Sequence, residues 1–305
     1  MQVKILGSAA GGAFPQWNCA CPNCHAVRGG QFQGKARSQT QVAVSADGES
    51  WFLLGASPDL RSQTESSLEL RPRSGTRSSP IQGVVLASAD LDHVLGLLLM
   101  RELQSFSVYA AAPVIQILRG NSVFAMLNRV PDQVKWQPIG TGESFVLGES
   151  SGSGSLSCQA IGVSSHFPAY ATGMKQSDDA TLGFILTAPS GATMGFFPQL
   201  ARLTPALKTA FASLDCLLLD GTFWSDDELV RLQGSTHRAR DMGHVPVGGA
   251  DGTLQLLSGL TKPKPRKMYI HINNTNPMLN EAGAEYRAVR DAGWELAEDG
   301  CHFTL

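Results

Sequence analysis

The chain has no excess of charge of either sign: 24 basic residues face 26 acidic ones, a net charge of −2 at pH 7. A surface so balanced offers no electrostatic hold on a polyanion, which excludes nucleic acid as a partner class. No apolar run is long enough to span a bilayer, so a membrane channel is excluded as well. The opening residues carry no basic stretch and no extended apolar core, so no secretory signal is predicted and the expected compartment is the reducing cytoplasm. Charged residues make up only 16% of the chain against 43% hydrophobic ones, the balance of a folded protein rather than a disordered one. Cysteine is scarce, and three of the six fall between positions 19 and 24. That crowding excludes a disulfide framework.

What is present is a regular supply of short apolar runs. Val3–Gly7, Gln41–Ala46, Trp51–Leu54, Ile81–Ala87, Phe106–Tyr109, Leu182–Ala188, Thr193–Phe197, Cys216–Asp220 and Met268–Ile272 read as strands. Helical spacing is predicted over Leu95–Leu103, Pro113–Leu127, Thr204–Ser213, Asp226–Gln233 and Gly283–Asp291. Close-set strands early and alternating strands and helices later predict two sheets covered by helices. No repeat of solenoid length occurs, and one domain over residues 1–305 is expected. The Gly/Ser-rich stretch Gly148–Ser157 reads as a loop or hairpin tip, and Ser62–Arg77 as a polar excursion.

The densest chemistry lies at Ser88-Ala89-Asp90-Leu91-Asp92-His93, between the Ile81–Ala87 run and a helical pattern. That places two carboxylates and an imidazole at the carboxyl end of a strand, the edge where open α/β sheets build ligand sites. Two further runs end in ligand types. Cys216–Asp220 closes on an acid, which is costly to bury unless it is paired or bound to metal. Met268–Ile272 carries His271 ahead of Asn273, Asn274 and Asn276. Asp92, His93, Asp220 and His271 together are read as a metal set. His244 lies in a loop before a glycine-rich segment and reads either as an acid/base or as a solvated loop histidine. His166, His237 and His302 read as ordinary surface residues, and Asp226-Asp227-Glu228 as the acidic first turn of a helix that Ser225 caps.

The second cluster is Cys19-Ala20-Cys21-Pro22-Asn23-Cys24, followed by His25. Three thiols in a tight, irregular loop over residues 18–25 can wrap one thiophilic ion, most plausibly structural zinc. Either His25 or a distant residue could close the shell. Cys158, Cys216 and Cys301 are isolated and read as packing residues.

These words together resemble the coenzyme PQQ (pyrroloquinoline quinone) synthesis protein B family, within the metallo-β-lactamase superfamily. The resemblance runs almost end to end. It rests on Leu6–Gly12, Phe14–Cys19, Ala56-Ser57-Pro58-Asp59, Asp92-His93 with Gly96-Leu97, Asp220-Gly221-Thr222, Met242-Gly243-His244 and His271–Pro277. In the superfamily's His-x-His-x-Asp-His signature, Ser88 and Asp90 stand where the leading histidines would be, while Asp92 and His93 are kept. The resemblance implies an αββα four-layer sandwich with its site at one edge of the two sheets. It implies an iron- and oxygen-dependent hydroxylase acting on the tyrosine ring of a Glu/Tyr-derived PQQ precursor, alongside other proteins of that pathway. Asp92, His93, Asp220 and His271 inherit the catalytic Fe(II), with Asp90 as a further ligand. Cys19, Cys21 and Cys24 inherit the structural Zn(II). A phosphodiesterase of the superfamily closes a similar three-cysteine site with a histidine where this chain has Asn274, and its loop histidine resembles His244. Departures from the family wording are Gly55 for asparagine, Ala13 for glycine, and Gly234–Arg240.

Losing two histidines while keeping carboxylates is the physical reason to expect ferrous iron rather than a zinc pair. His244 would move a proton, and Arg61 or Arg101 would hold substrate carboxylates. Two other readings stand beside this one: a zinc-dependent hydrolase such as a phosphodiesterase, and a non-catalytic carrier that delivers PQQ or a precursor for transport to the periplasm.

Overall fold

Trp51–Leu54 and Cys216–Asp220 are buried at every position, the mark of strands covered on both faces rather than alternating ones. They belong to two compact units into which the chain divides. The structure, a computed structural model, describes residues 1–148, 154–261 and 265–305.

The first unit comprises Met1–Gly7, Thr40–Thr193 and Gly300–Leu305. Its seven-stranded sheet contains β1 (Gln2–Gly7), β2 (Gln41–Ser45), β3 (Trp51–Leu54), β4 (Ile81–Val85), β5 (Phe106–Ala111), β6 (Val134–Ile139) and the C-terminal β14 (His302–Thr304). The order is β14-β1-β2-β3-β4-β5-β6. Pairing is antiparallel from β14 to β3 and parallel from β3 to β6. The same unit holds the antiparallel strands β7 (Ser144–Leu147), β8 (Leu156–Ser164) and β9 (Thr181–Thr187). Leu147 faces Leu156 across the β7–β8 hairpin. The predicted loop sits at its tip, and residues 149–153 of that loop lie outside the described residues.

The second unit comprises Ser8–Gln39 and Met194–Asp299. Its ladder of β10 (Thr193–Phe197), β11 (Cys216–Asp220), β12 (Arg266–Ile270) and β13 (Trp294–Leu296) is parallel throughout. Parallel neighbours need a crossover, and the helices supply it. Helix α5 (Pro205–Ala212) links β10 to β11. α6 (Glu228–Gln233) and α7 (Thr253–Leu256) lie between β11 and β12, and α8 (Ala284–Asp291) precedes β13. The core is aromatic: Tyr269 stacks on Trp294 at 4.3 Å, and Phe197 meets Phe211 edge-on at 4.9 Å. Each such ring, fully buried, stabilises the fold by about 2 kcal/mol.

Mixed β-sheets flanked by helices make this the metallo-β-lactamase fold, as expected. Three local expectations are corrected. Leu95–Leu103 is not one helix. A single turn, α3 (Leu91–Val94), gives way to a 3-10 stretch over Leu95–Met100, and Leu103 is exposed in a left-handed conformation. Gly96 packs so closely on the chain at Ala56 and Ser57 that a Cβ there would collide with the Ser57 carbonyl oxygen. The leucine spacing imitates a helix whose outer members face solvent. Ser62–Arg77 is not all loop, because α2 (Leu60–Glu65) and the turn Leu68–Leu70 bury Leu60, Gln63 and Leu70. The helix expected over Pro113–Leu127 is α4 (Ala112–Gly120), which breaks at extended Asn121 before a 3-10 turn over Phe124–Asn128. Among the described residues no helix is long and apolar enough to cross a membrane.

Candidate metal centres

Strand β4 ends at Val85, and five residues later Asp90 adopts the extended conformation that caps α3. Ser88, fully buried, organises this turn. Its hydroxyl donates to Asp90 Oδ2 at 2.6 Å, accepts the Asp90 N–H at 3.1 Å, and lies 3.0 Å from His93 Nδ1. A hydroxyl has one proton, and the carboxylate takes it. The His93 contact is therefore an Nδ1–H donating to Ser88, which assigns the lone pair to Nε2, the form a metal needs. That Nε2 is 3.9 Å from Asp92 Oδ2. Ser88 is more than a vanished ligand: it fixes a tautomer. The Tyr170 hydroxyl donates to the carbonyl of Ala89, and burial, with Asp90 adding, pushes its phenol up to about 12.

In the second unit, β11 delivers Asp220 fully buried. Its Oδ2 accepts the Leu200 N–H at 2.8 Å and lies 2.8 Å from His244 Nδ1. Its Oδ1 accepts the N–H and the hydroxyl of Thr222 at 3.0 and 2.7 Å. Thr222 Oγ1 also lies 2.8 Å from His271 Nδ1. The same proton arithmetic applies. Each imidazole donates through Nδ1, His244 to a carboxylate and His271 to a hydroxyl, and each presents Nε2 as a lone pair. The two rings stack at 5.7 Å and 19°, with Phe223 edge-on to His244. One donor atom each from Asp220, His244 and His271 lies within 4.8 Å of the others. His271 holds φ of +60°, a left-handed conformation that costs a non-glycine residue about 1–2 kcal/mol. His244, read from sequence as an acid/base alone, thus also stands among the candidate ligands.

The thiols of Cys19, Cys21 and Cys24 converge to the same degree, all within 4.8 Å. The loop expected to be irregular is instead a short helix, α1 (Pro22–Arg28), with Pro22 in its first turn and Cys21 as its cap. Proline suits that position because its missing N–H is not needed there. The Asn274 side chain reaches into the thiols, its Nδ2 lying 3.1, 3.3 and 3.6 Å from Cys19, Cys24 and Cys21 Sγ. A carboxamide turned over presents oxygen to the same point. His25, the nearer candidate for the fourth ligand, is exposed. Burial, with Cys19 and Cys24 adding, pushes the Cys21 thiol up to about 11. Cys19 goes the other way: burial opposes its ionisation, but hydrogen bonds from Cys21, Cys24 and Asn274 outweigh it and hold that thiol below its ordinary value.

Other sequence candidates fall away from these centres. His166, His237 and His302 are exposed, as are Arg61 and Arg101. His302 meets Glu69 at 3.2 Å, and Arg101 meets Glu102 at 3.4 Å. Cys158 and Cys216 are core residues. One residue was misjudged. Helix α6 starts at Glu228, not Asp226, and Asp227 rather than Ser225 precedes it. Glu228 is buried, accepting the Trp224 N–H at 2.7 Å and the Thr275 hydroxyl, and burial pushes its carboxyl up to about 7. Its place beside two surface acids disguised it.

Comparison with known proteins bears on the family and the fold. Residues 50–272 match the family model described as a β-lactamase superfamily domain. A coenzyme PQQ synthesis protein B from Gluconobacter oxydans is 41% identical, covering 100% of this chain and 99% of the relative. The chain belongs to the coenzyme PQQ synthesis protein B family. A family member from a Methylobacterium species is 38% identical over the full length of both chains. The crystal structure of zinc-bound PqqB from Methylobacterium extorquens superposes with a TM-score of 0.91 at 38% identity, covering both chains completely. The family therefore includes a member that binds zinc.

Proposed function

We propose that this chain serves PQQ biosynthesis as a metal-dependent oxygenase that hydroxylates the tyrosine ring of a Glu/Tyr-derived precursor. Asp92, His93, Asp220 and His271, with Asp90 as a further ligand, hold Fe(II). Cys19, Cys21, Cys24 and Asn274 hold structural Zn(II). The observation that carries this reading is the fixing of tautomers. Thr222, Asp220 and Ser88 each occupy an Nδ1, so His271, His244 and His93 all offer Nε2 beside carboxylates. Mixed imidazole and carboxylate donors fit ferrous iron, and clustered thiols fit zinc.

Iron, when bound, supplies the activation of O2 that a closed-shell ion does not. The chain's own residues do the rest. Ser88 and Thr222 hold the ligand imidazoles in register. His244, backed by Asp220 at 2.8 Å, takes the phenolic proton at Nε2 and is stabilised as an imidazolium by that carboxylate. Phe223 and the buried strand ends keep water from these groups.

Anaerobic protein loaded with Fe(II) and mixed with a Glu/Tyr peptide intermediate and a two-electron reductant such as ascorbate, which sends the second oxygen atom to water, then exposed to O2, gives product mass directly. Iron-dependent gain of oxygen is expected. Binding without a mass change would instead favour a carrier that aids PQQ transport, and loss of a hydrolysable group without oxygen would favour a zinc hydrolase. Either result would overturn the oxygenase reading.

A further inference from the structure

Six residues, His271 to Asn276, serve both candidate centres of the second unit. His271 opens the segment and stands with Asp220 and His244; Asn274 reaches the thiols. Between these points the segment is tied on two sides. Toward Asp220, the buried Asn276 side chain donates to the carbonyls of Gly221 and Thr222 at 3.0 and 3.3 Å, and the Asn273 N–H donates to the Thr222 carbonyl at 3.0 Å. Thr222 is the residue that holds both the Asp220 carboxylate and the His271 ring. Toward the thiols, Asn23 lies in the first turn of α1, between Cys21 and Cys24. Its Nδ2 donates to the carbonyls of Asn274 and Asn276 at 3.1 and 3.0 Å.

We propose that Asn23 is a positioning residue that couples the two centres: by clamping Asn274 and Asn276 to the cysteine helix, it lets the thiol-bound ion set the placement of His271. The coupling runs through hydrogen bonds alone. Asn23 pins both carbonyls, Asn276 passes that restraint to the turn after Asp220, and Thr222 passes it to the ring of His271. The left-handed backbone of His271 makes this restraint consequential, because a strained residue relaxes when its surroundings loosen. Partners that orient metal ligands without touching the ion typically change metal affinity by about 10–100-fold. This inference rests on the reading of Asp220 and His271 as metal-holding.

The test uses full-length protein with zinc confined to the thiols, titrated with Co(II) by calorimetry and by its visible absorption. Asn23→Leu and Asn23→Asp both remove the two N–H donors while leaving the cysteines and Asn274 in place. The expected result is retained zinc, about tenfold or greater weakening of Co(II) binding, and an altered visible spectrum. If Asn23→Leu fails to fold, Asn23→Asp is read alone. Wild-type Co(II) affinity and spectrum in the variants would overturn the coupling. Loss of zinc from the variants would do so too, since Asn23 would then merely build the thiol centre. Failure of the wild-type protein to bind Co(II) beside its zinc would instead overturn the metal-centre reading itself, and the coupling with it.

Discussion

The two candidate centres of the second unit contrast in how their donors are assembled. The thiols come from one stretch of six residues wound into a cap and a single helical turn, so local geometry alone brings them together. Asp220, His244 and His271 come from two strand ends and a distant loop, and each needs a partner to aim it. The thiol centre presents soft donors whose protons a cation must displace. The imidazole–carboxylate centre presents lone pairs already exposed by hydrogen bonds on the far ring nitrogens. In the proposed reading, the first would hold an ion through local convergence alone, and the second through donors aimed in advance by their partners.

Asp220 is where this contrast breaks most severely. Asp220→Ala leaves the Leu200 N–H, both Thr222 donors and His244 Nδ1 without their acceptor. Urea unfolding is expected to show a loss on the order of 3 kcal/mol. Metal analysis of the same variant is expected to show zinc kept at the thiols and no second metal.

Glu228→Gln sharpens the comparison through pH. The carboxyl sits at about 7 in the folded protein, raised by burial above its ordinary 4.5. The folded state therefore holds a proton that the unfolded chain releases, a contribution present below pH 4.5 and lost as pH rises through 7. Wild-type stability is expected to fall by up to about 3 kcal/mol across that window from this group, and the glutamine variant to lose that slope. Equal slopes in parallel urea titrations at the two ends of the window would refute the assignment.

Thr222→Val removes the hydroxyl that holds His271 Nδ1 while keeping the shape of the side chain. Second-metal affinity is expected to fall by about 10–100-fold in a Co(II) titration, with thiol-bound zinc unchanged. Ser88→Ala is the milder counterpart at His93, and about a tenfold loss is expected, because the Asp90 cap survives in part. A variant with wild-type affinity would mean that its histidine needs no tautomer partner.

Legibility in the sequence followed the same divide. Cys19, Cys21 and Cys24 announced themselves by spacing. Strand ends such as Asp220 announced themselves because an acid closing the run CLLLD has no ordinary reason to be buried. Trp51–Leu54 and Cys216–Asp220 matched their runs residue for residue, because strands buried on both faces are continuous apolar words. Strands β6 and β7 escaped because half their residues are exposed, and β13 and β14 because three residues carry too little pattern. Leu95–Leu103 misled because its spacing fits a helix, whereas the chain runs as a 3-10 stretch to Met100 and leaves Leu99 and Leu103 exposed. The partners were hardest to see. Thr222 and Glu228 act through one hydroxyl or one carboxylate on His271 and Thr275, far along the chain, and nothing in a local window marks them, whereas Ser88 acts within its own turn on Asp90 and His93.

The most direct test is X-ray absorption at the iron and zinc edges of protein reconstituted with both metals. The account predicts zinc surrounded mainly by sulfur and iron surrounded only by nitrogen and oxygen, with imidazole scattering. Sulfur in the iron shell, or zinc and iron sharing the same nitrogen–oxygen environment, would contradict it.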